Sequence, residues 1–122
     1  MKVIETTNAP GAIGPYSQGY CANGFLFTSG QIPVNPQTGL IPDGIEAQAE
    51  QSCNNVKAIV EAGGGDMAKV IKTTCYLADM NDFTTFNRVY EKFFIGKPAR
   101  SCVAVKALPK DVLCEIEAIV VL

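Results

Sequence analysis

The chain has 122 residues, a formal charge of −2 and 48% hydrophobic residues, which is enough for one packed core and too little chain for a second. It contains no histidine, and that removes Ser-His-Asp and Cys-His nucleophilic systems together with every histidine-based metal site. Its ten basic residues are scattered from Lys2 to Lys110 and the pI is about 5.0, a balance that argues against a nucleic-acid backbone as partner.

No apolar stretch approaches the roughly 20 residues that a membrane span needs, and Met1-Lys2-Val3-Ile4-Glu5 lacks the apolar region of a signal peptide, so the expected location is the cytoplasm. Five cysteines (Cys21, Cys53, Cys75, Cys102 and Cys114) make an odd number with no C-x-x-C pair, which reads as reduced thiols that mostly fill the core. There is no repeat, linker or low-complexity segment, so residues 1–122 are expected to form a single domain. A domain this small leaves apolar surface that a further copy has to cover, and an oligomer is expected.

In chain order, a short strand is expected at residues 2–5 and two more at residues 16–21 and 25–29, joined by a tight turn at Ala22-Asn23-Gly24. Residues 31–43 hold three prolines and a Thr38-Gly39 step, and read as a connecting loop. Ile45, Ala49, Cys53, Val56 and Val60 recur at helical period, with Asp43 as the expected N-cap and Gly63-Gly64-Gly65 as the stop. The β-branched and aromatic residues of 69–78 predict a strand. Asn81 or Asp82 then caps a second helix whose stripe is Phe83, Phe86, Val89, Tyr90 and Phe93, read as core. Strands at residues 100–106 and 114–121, separated by a turn at 107–111, complete an order β-β-β-α-β-α-β-β. This order implies an α+β fold, a mixed sheet with both helices on one face and its other face unpartnered.

Of the two arginines, Arg88 points away from the apolar stripe of its helix. Arg100 opens a strand directly after Pro98-Ala99, and its same-face neighbours by two-residue period are Cys102 and Ala104. A guanidinium in that setting suits a planar anion, because it grips a carboxylate with two charge-assisted hydrogen bonds that lysine cannot reproduce. A structural ion pair with Glu115 or Glu117 of the next strand fits the spacing equally well. Those two glutamates share one face of an otherwise apolar segment, where a desolvated carboxylate handles water or, alternatively, a charged pair protects an edge strand. Cys102 lacks a histidine to activate it and reads as packing rather than as a nucleophile.

GPYSQ from Gly14, SGQIPVNPQTG from Ser29, NNVKAIVEAGG from Asn54, VIKTTCYLADMNDF from Val70, PARSCVAV from Pro98 and LPKDVLCEIEAI from Leu108 together run nearly end to end. In combination they resemble the RidA (YjgF-like) family of reactive-intermediate deaminases, which act on 2-iminobutanoate and 2-iminopropanoate. The resemblance implies a chorismate-mutase-like fold and a homotrimer with active sites in the clefts between subunits. It implies that Arg100 binds the substrate carboxylate, that Cys102 lines the pocket and that Glu115 attends the catalytic water. Tyr16, Ser29 and Gly30 are expected around the ligand, with Asn87 a further substrate-binding candidate. The connection Phe94-Ile95-Gly96-Lys97 is short relative to the family pattern, which bears on substrate size if it walls the cleft.

The expected reaction is hydrolysis of a small 2-imino acid to a 2-keto acid and ammonia, with no metal, cofactor or covalent intermediate, since an imine carbon is already electrophilic. Two rival readings stand beside it. One is a non-catalytic protein that binds or senses a 2-keto acid in the same pocket. The other, RNA cleavage, has been attached to proteins of this kind, and the acidic pI and lack of a basic patch speak against it.

Overall fold

The computed structural model describes residues 1–122. Strands β1 (Lys2–Ile4), β2 (Gly19–Ala22) and β3 (Phe25–Thr28) form an antiparallel meander, and helix α1 (Ile45–Ala62) leads into β4 (Val70–Leu77). Helix α2 (Phe83–Phe93) leads on to β5 (Ala99–Ala104), and β6 (Cys114–Val121) ends the chain. The six strands form one sheet in the order β1-β2-β3-β6-β4-β5, parallel only between β4 and β5.

β3 and β4 each run antiparallel to β6, so they are parallel to one another and α1 is the crossover between them. The last strand then fills the gap that this crossover leaves. The outcome excludes one sequence expectation: β6 is an interior strand, so Glu115 and Glu117 guard no edge.

Alternation divides the sheet into two unlike faces. Cys114, Ile116, Ala118 and Val120 of β6 join Thr73, Cys75 and Leu77 of β4 and Leu26 of β3 beneath the helices, all 3% exposed or less. From above, α1 contributes Ala49, Cys53, Val56, Ile59 and Val60, and α2 contributes Phe86, Val89 and Tyr90. The opposite face carries Tyr20, Phe25, Phe27 and Val103, each more than a third exposed, around Tyr76, Glu115 and Glu117.

Several local expectations needed correction. Residues 16–18 are not strand, because the Gln18 side chain is committed to the preceding loop: it accepts from the Thr6 N–H and donates to the carbonyls of Thr6, Ala9 and Pro10. Asp43 does not cap α1. The N-cap is Gly44 at φ 85°, a left-handed conformation that favours glycine, with no side-chain cap. Polar residues of α1 take over the anchoring: Gln48 bonds the Pro42 carbonyl and the Leu113 N–H, and buried Asn55 donates to the carbonyls of Ile32 and Val34. Asp82 precedes α2 without a side-chain cap, and Asp79 caps the 3-10 turn (Met80–Asp82) just before it. Phe94, expected in the connection, is 2% exposed: it stands just past the end of α2 and stacks on Tyr90 as part of the core. The hairpin at Asn23-Gly24, both at positive φ, and the free state of all five thiols are as expected.

Candidate active site

Arg100 lies on β5 at the sheet edge, in register with Thr73 of β4. Thr73 is fully buried beneath the helices, so Arg100 and, two residues on, Cys102 face the same way, toward α2. The guanidinium carbon sits 4.7 Å from the ring centroid of Tyr90 and 5.5 Å from that of Phe83, and Nη1 donates to Asn87 Oδ1 at 2.8 Å. Phe83, Asn87 and Tyr90 follow one another at i, i+4 and i+7, so one face of α2 supplies all three contacts.

Neither glutamate of β6 is near enough in orientation to serve as the ion-pair partner. Glu115 pairs with Tyr76 and Glu117 with Thr74, and both therefore point to the open face, away from Arg100. The side chains that hold Arg100 are neutral, and its charge is available to a ligand. Beside it opens a cleft of about 530 Å³ lined by Asn87, Tyr90, Phe94, Lys97 and Arg100. Glu91, Ile95 and Pro98 complete the wall, so the cleft holds one carboxylate beside its two cations and the short connection borders it directly.

Tyr90 is the best-secured member of this group. Its hydroxyl shares a 2.7 Å hydrogen bond with Thr73 Oγ1, and its ring stacks on Phe94 at 4.3 Å. Burial pushes its phenol up to about 12, so it stays neutral beneath the guanidinium. Cys102 is half-buried. Desolvation raises its thiol pKa, with Arg100 pulling in the opposite sense, and this favours a protonated wall residue over a nucleophile.

A second group forms on the other face. The segment Ser29-Gly30-Gln31 docks along β6 through two backbone hydrogen bonds between Gln31 and Ile116, at 2.8 and 3.2 Å. Ser29 is tied back to the carbonyls of Ser17 through its hydroxyl and of Gln18 through its N–H. This brings Gly30 directly under Glu115, so closely that a Cβ at position 30 would overlap Oε2. The Glu115 carboxyl is raised above the ordinary glutamate value, by desolvation first and by the charge of Glu117 second. Tyr16, half exposed, borders a cleft of about 260 Å³ with Gly30, Gln31, Ile13 and Lys110.

The seven residues singled out by sequence thus fall into two separate groups. Arg100, Asn87 and Cys102 lie together on the helix side at one edge. Gly30 meets Glu115 on the open face, Ser29 precedes Gly30 in the chain, and Tyr16 shares a cleft with Gly30. Within one chain the two are not brought together. Arg88, as expected, is exposed on the outer side of α2 and bonds only Thr85. Phe83, Tyr90 and Thr73 were not singled out for the site. The signal available for them was Asn87 itself, an amide that interrupts an aromatic stripe at helical spacing.

The α+β sheet thus carries a guanidinium without a carboxylate partner at one edge and a desolvated carboxylate seated over a glycine on its other face, groups chemically suited to a small anion and to water. The model of the Endoribonuclease L-PSP family matches residues 6–122, and the chain belongs to this family, which includes the YjgF and RidA proteins. The 2-iminobutanoate/2-iminopropanoate deaminase of Escherichia coli is 56% identical over 124 residues, covering 98% of this chain and 97% of the relative. A RutC family protein of Pasteurella multocida is 57% identical at the same coverage of both chains. Among solved structures, Escherichia coli TdcF with bound serine superposes with a TM-score of 0.97 at 55% identity, covering 100% of this chain and 99% of the other. RidA from an Antarctic Psychrobacter superposes at 0.96 with 40% identity and full coverage of both.

Proposed function

We propose that this chain is a hydrolase that converts small 2-imino acids to 2-keto acids, with Arg100 as the carboxylate anchor and Glu115 as the group that directs water. The observation that carries this reading is the state of Arg100: fixed by an amide and two ring faces, it keeps its charge and its remaining N–H donors for a planar carboxylate. The kinship with 2-iminobutanoate/2-iminopropanoate deaminases supplies the reaction class.

Water adds to the imine carbon as Glu115 accepts its proton, and Glu115 returns that proton to the nitrogen to give a carbinolamine. Glu115 then takes the carbinolamine hydroxyl proton and passes it to the amine nitrogen as the C–N bond breaks, and ammonia and a 2-keto acid leave. Both protons of the water end on the nitrogen, moved one at a time, so a single desolvated carboxylate that alternates between base and acid is sufficient.

The reading extends to assembly. Three copies that bury the open faces of their sheets against one another would cover Phe25, Phe27 and Val103, and a homotrimer with clefts between subunits lets Arg100 of one copy meet Glu115, Tyr16, Ser29 and Gly30 of the next. The entire chain, residues 1–122, acts in this reading as one RidA-like domain. Five unpaired thiols suit a reducing cytoplasm, and no helix is long and apolar enough to cross a membrane.

The test is hydrolysis of freshly generated 2-iminobutanoate, followed as ammonia and keto-acid release above the spontaneous rate. Wild type is expected to accelerate it and Arg100→Ala to lose at least about 100-fold, two charge-assisted hydrogen bonds being removed. Tight keto-acid binding without turnover overturns the catalytic reading in favour of a sensor. RNA cleavage that survives rigorous purification overturns the substrate class.

A further inference from the structure

Arg100 sits on an edge strand, half-buried, with a long side chain and no carboxylate of its own chain to hold it. A guanidinium so placed is free to sample several rotamers, and ordering it on ligand binding costs affinity. Here the ordering is done beforehand, from α2. The ring of Tyr90 lies under the guanidinium at 4.7 Å while its hydroxyl bonds Thr73, the residue directly across the β4–β5 ladder from Arg100. One side chain therefore spans from the strand neighbour of Arg100 to the face of its guanidinium.

We propose that Tyr90 is a positioning residue for Arg100: its ring face, locked by Thr73 below and Phe94 behind, sets the guanidinium plane so that the fork is presented to a carboxylate already aligned. This rests on the reading of Arg100 as the anchor. Tyr90 also lines the cleft, and the role proposed for it is carried through Arg100. The locking contacts are specific. Thr73 is fully buried, and the Tyr90 and Phe94 rings are 21° from parallel. Phe83 places a second ring over the same guanidinium at 5.5 Å, and Asn87 fixes one of its terminal nitrogens. The face left open is the one toward the cleft.

The experiment measures binding of 2-oxobutanoate by calorimetry, and KM and kcat for 2-iminobutanoate, in wild type, Tyr90→Leu, Tyr90→Phe, Arg100→Ala and the Arg100→Ala/Tyr90→Leu pair. Tyr90→Leu is expected to weaken keto-acid binding and raise KM by about tenfold, the scale of a desolvated cation–π contact, while kcat changes by less than about threefold. Tyr90→Phe keeps the ring face and is expected to restore KM to within about threefold of wild type. In the absence of the guanidinium, Tyr90→Leu is expected to add no further loss. A folded Tyr90→Leu with wild-type KM overturns the proposal and leaves the anchor reading intact. An equal loss from Tyr90→Leu in the Arg100→Ala background also overturns it, since the effect then does not pass through Arg100. Undiminished binding by Arg100→Ala overturns the anchor reading and the proposal together. If Tyr90→Leu does not fold, Phe83→Leu, at the half-buried second ring, carries the same comparison with a smaller expected KM rise of about threefold.

Discussion

Arg100 and Glu115 stand on opposite faces of one sheet: Arg100 is in register with Thr73 and Glu115 with Tyr76, and those two residues of β4 are an odd number of positions apart. Strand alternation makes the separation obligatory, whatever rotamers the two side chains adopt. In the proposed assembly a reaction that uses both takes Arg100 from one chain and Glu115 from a neighbour.

The seat of Glu115 gives the first expectation. A methyl group at position 30 would overlap its carboxylate, so Gly30→Ala is expected to displace Glu115 and leave the ladder between Gln31 and Ile116 in place. The expected result is a kcat lower by about 100-fold, the scale of misplacing a catalytic group by about 1 Å, with little change in melting temperature. Steady-state kinetics beside thermal denaturation check both halves of this expectation.

The pH dependence follows from the raised Glu115 pKa. A base works only when ionised, so activity on the acid side falls as pH drops through this raised value, above the ordinary glutamate value of about 4.3. Glu115→Gln is expected to lose that limb and about 100-fold of the plateau rate. Glu117→Gln removes the neighbouring like charge and is expected to move the limb to lower pH. Rate profiles from pH 4 upward, corrected for spontaneous imine hydrolysis, decide the matter.

The loop before α1 depends on Asn55, which is 1% exposed and donates to Ile32 and Val34 at 3.1 and 3.0 Å. Asn55→Ala leaves those carbonyls unpaired near the core and is expected to lower stability by about 2 kcal/mol. Urea unfolding at a fixed protein concentration measures it.

Periodic elements were legible in the sequence because burial imposes their spacing. β6 runs over Cys114–Val121 as read, and α1 begins at Ile45. What was not legible depended on side chains reaching distant backbone. Nothing in the alternation around Tyr16 shows that Gln18 bonds the loop at Thr6 to Pro10, and so the strand starts late, at Gly19. Gln48 and Asn55 likewise look like surface positions of α1 until the loops they hold are seen to fold over them. At the site, the Arg100 alternatives were balanced by spacing. They separated only when β6 proved to be interior, with both its glutamates on the face away from Arg100. Tyr90 read as core, and it is core, but a buried ring also has a face, and Arg100 lies on it.

The most direct measurement is complementation between two inactive variants. Arg100→Ala and Glu115→Gln are unfolded together at equal concentration, refolded, and assayed for 2-iminobutanoate hydrolysis against each variant treated alone. If each active site takes Arg100 from one copy and Glu115 from its neighbour, random mixing in a cyclic oligomer restores roughly a quarter of the sites, and activity is expected to rise to about that fraction of wild type. Activity that stays at the average of the two separate variants contradicts a site shared in this way between chains.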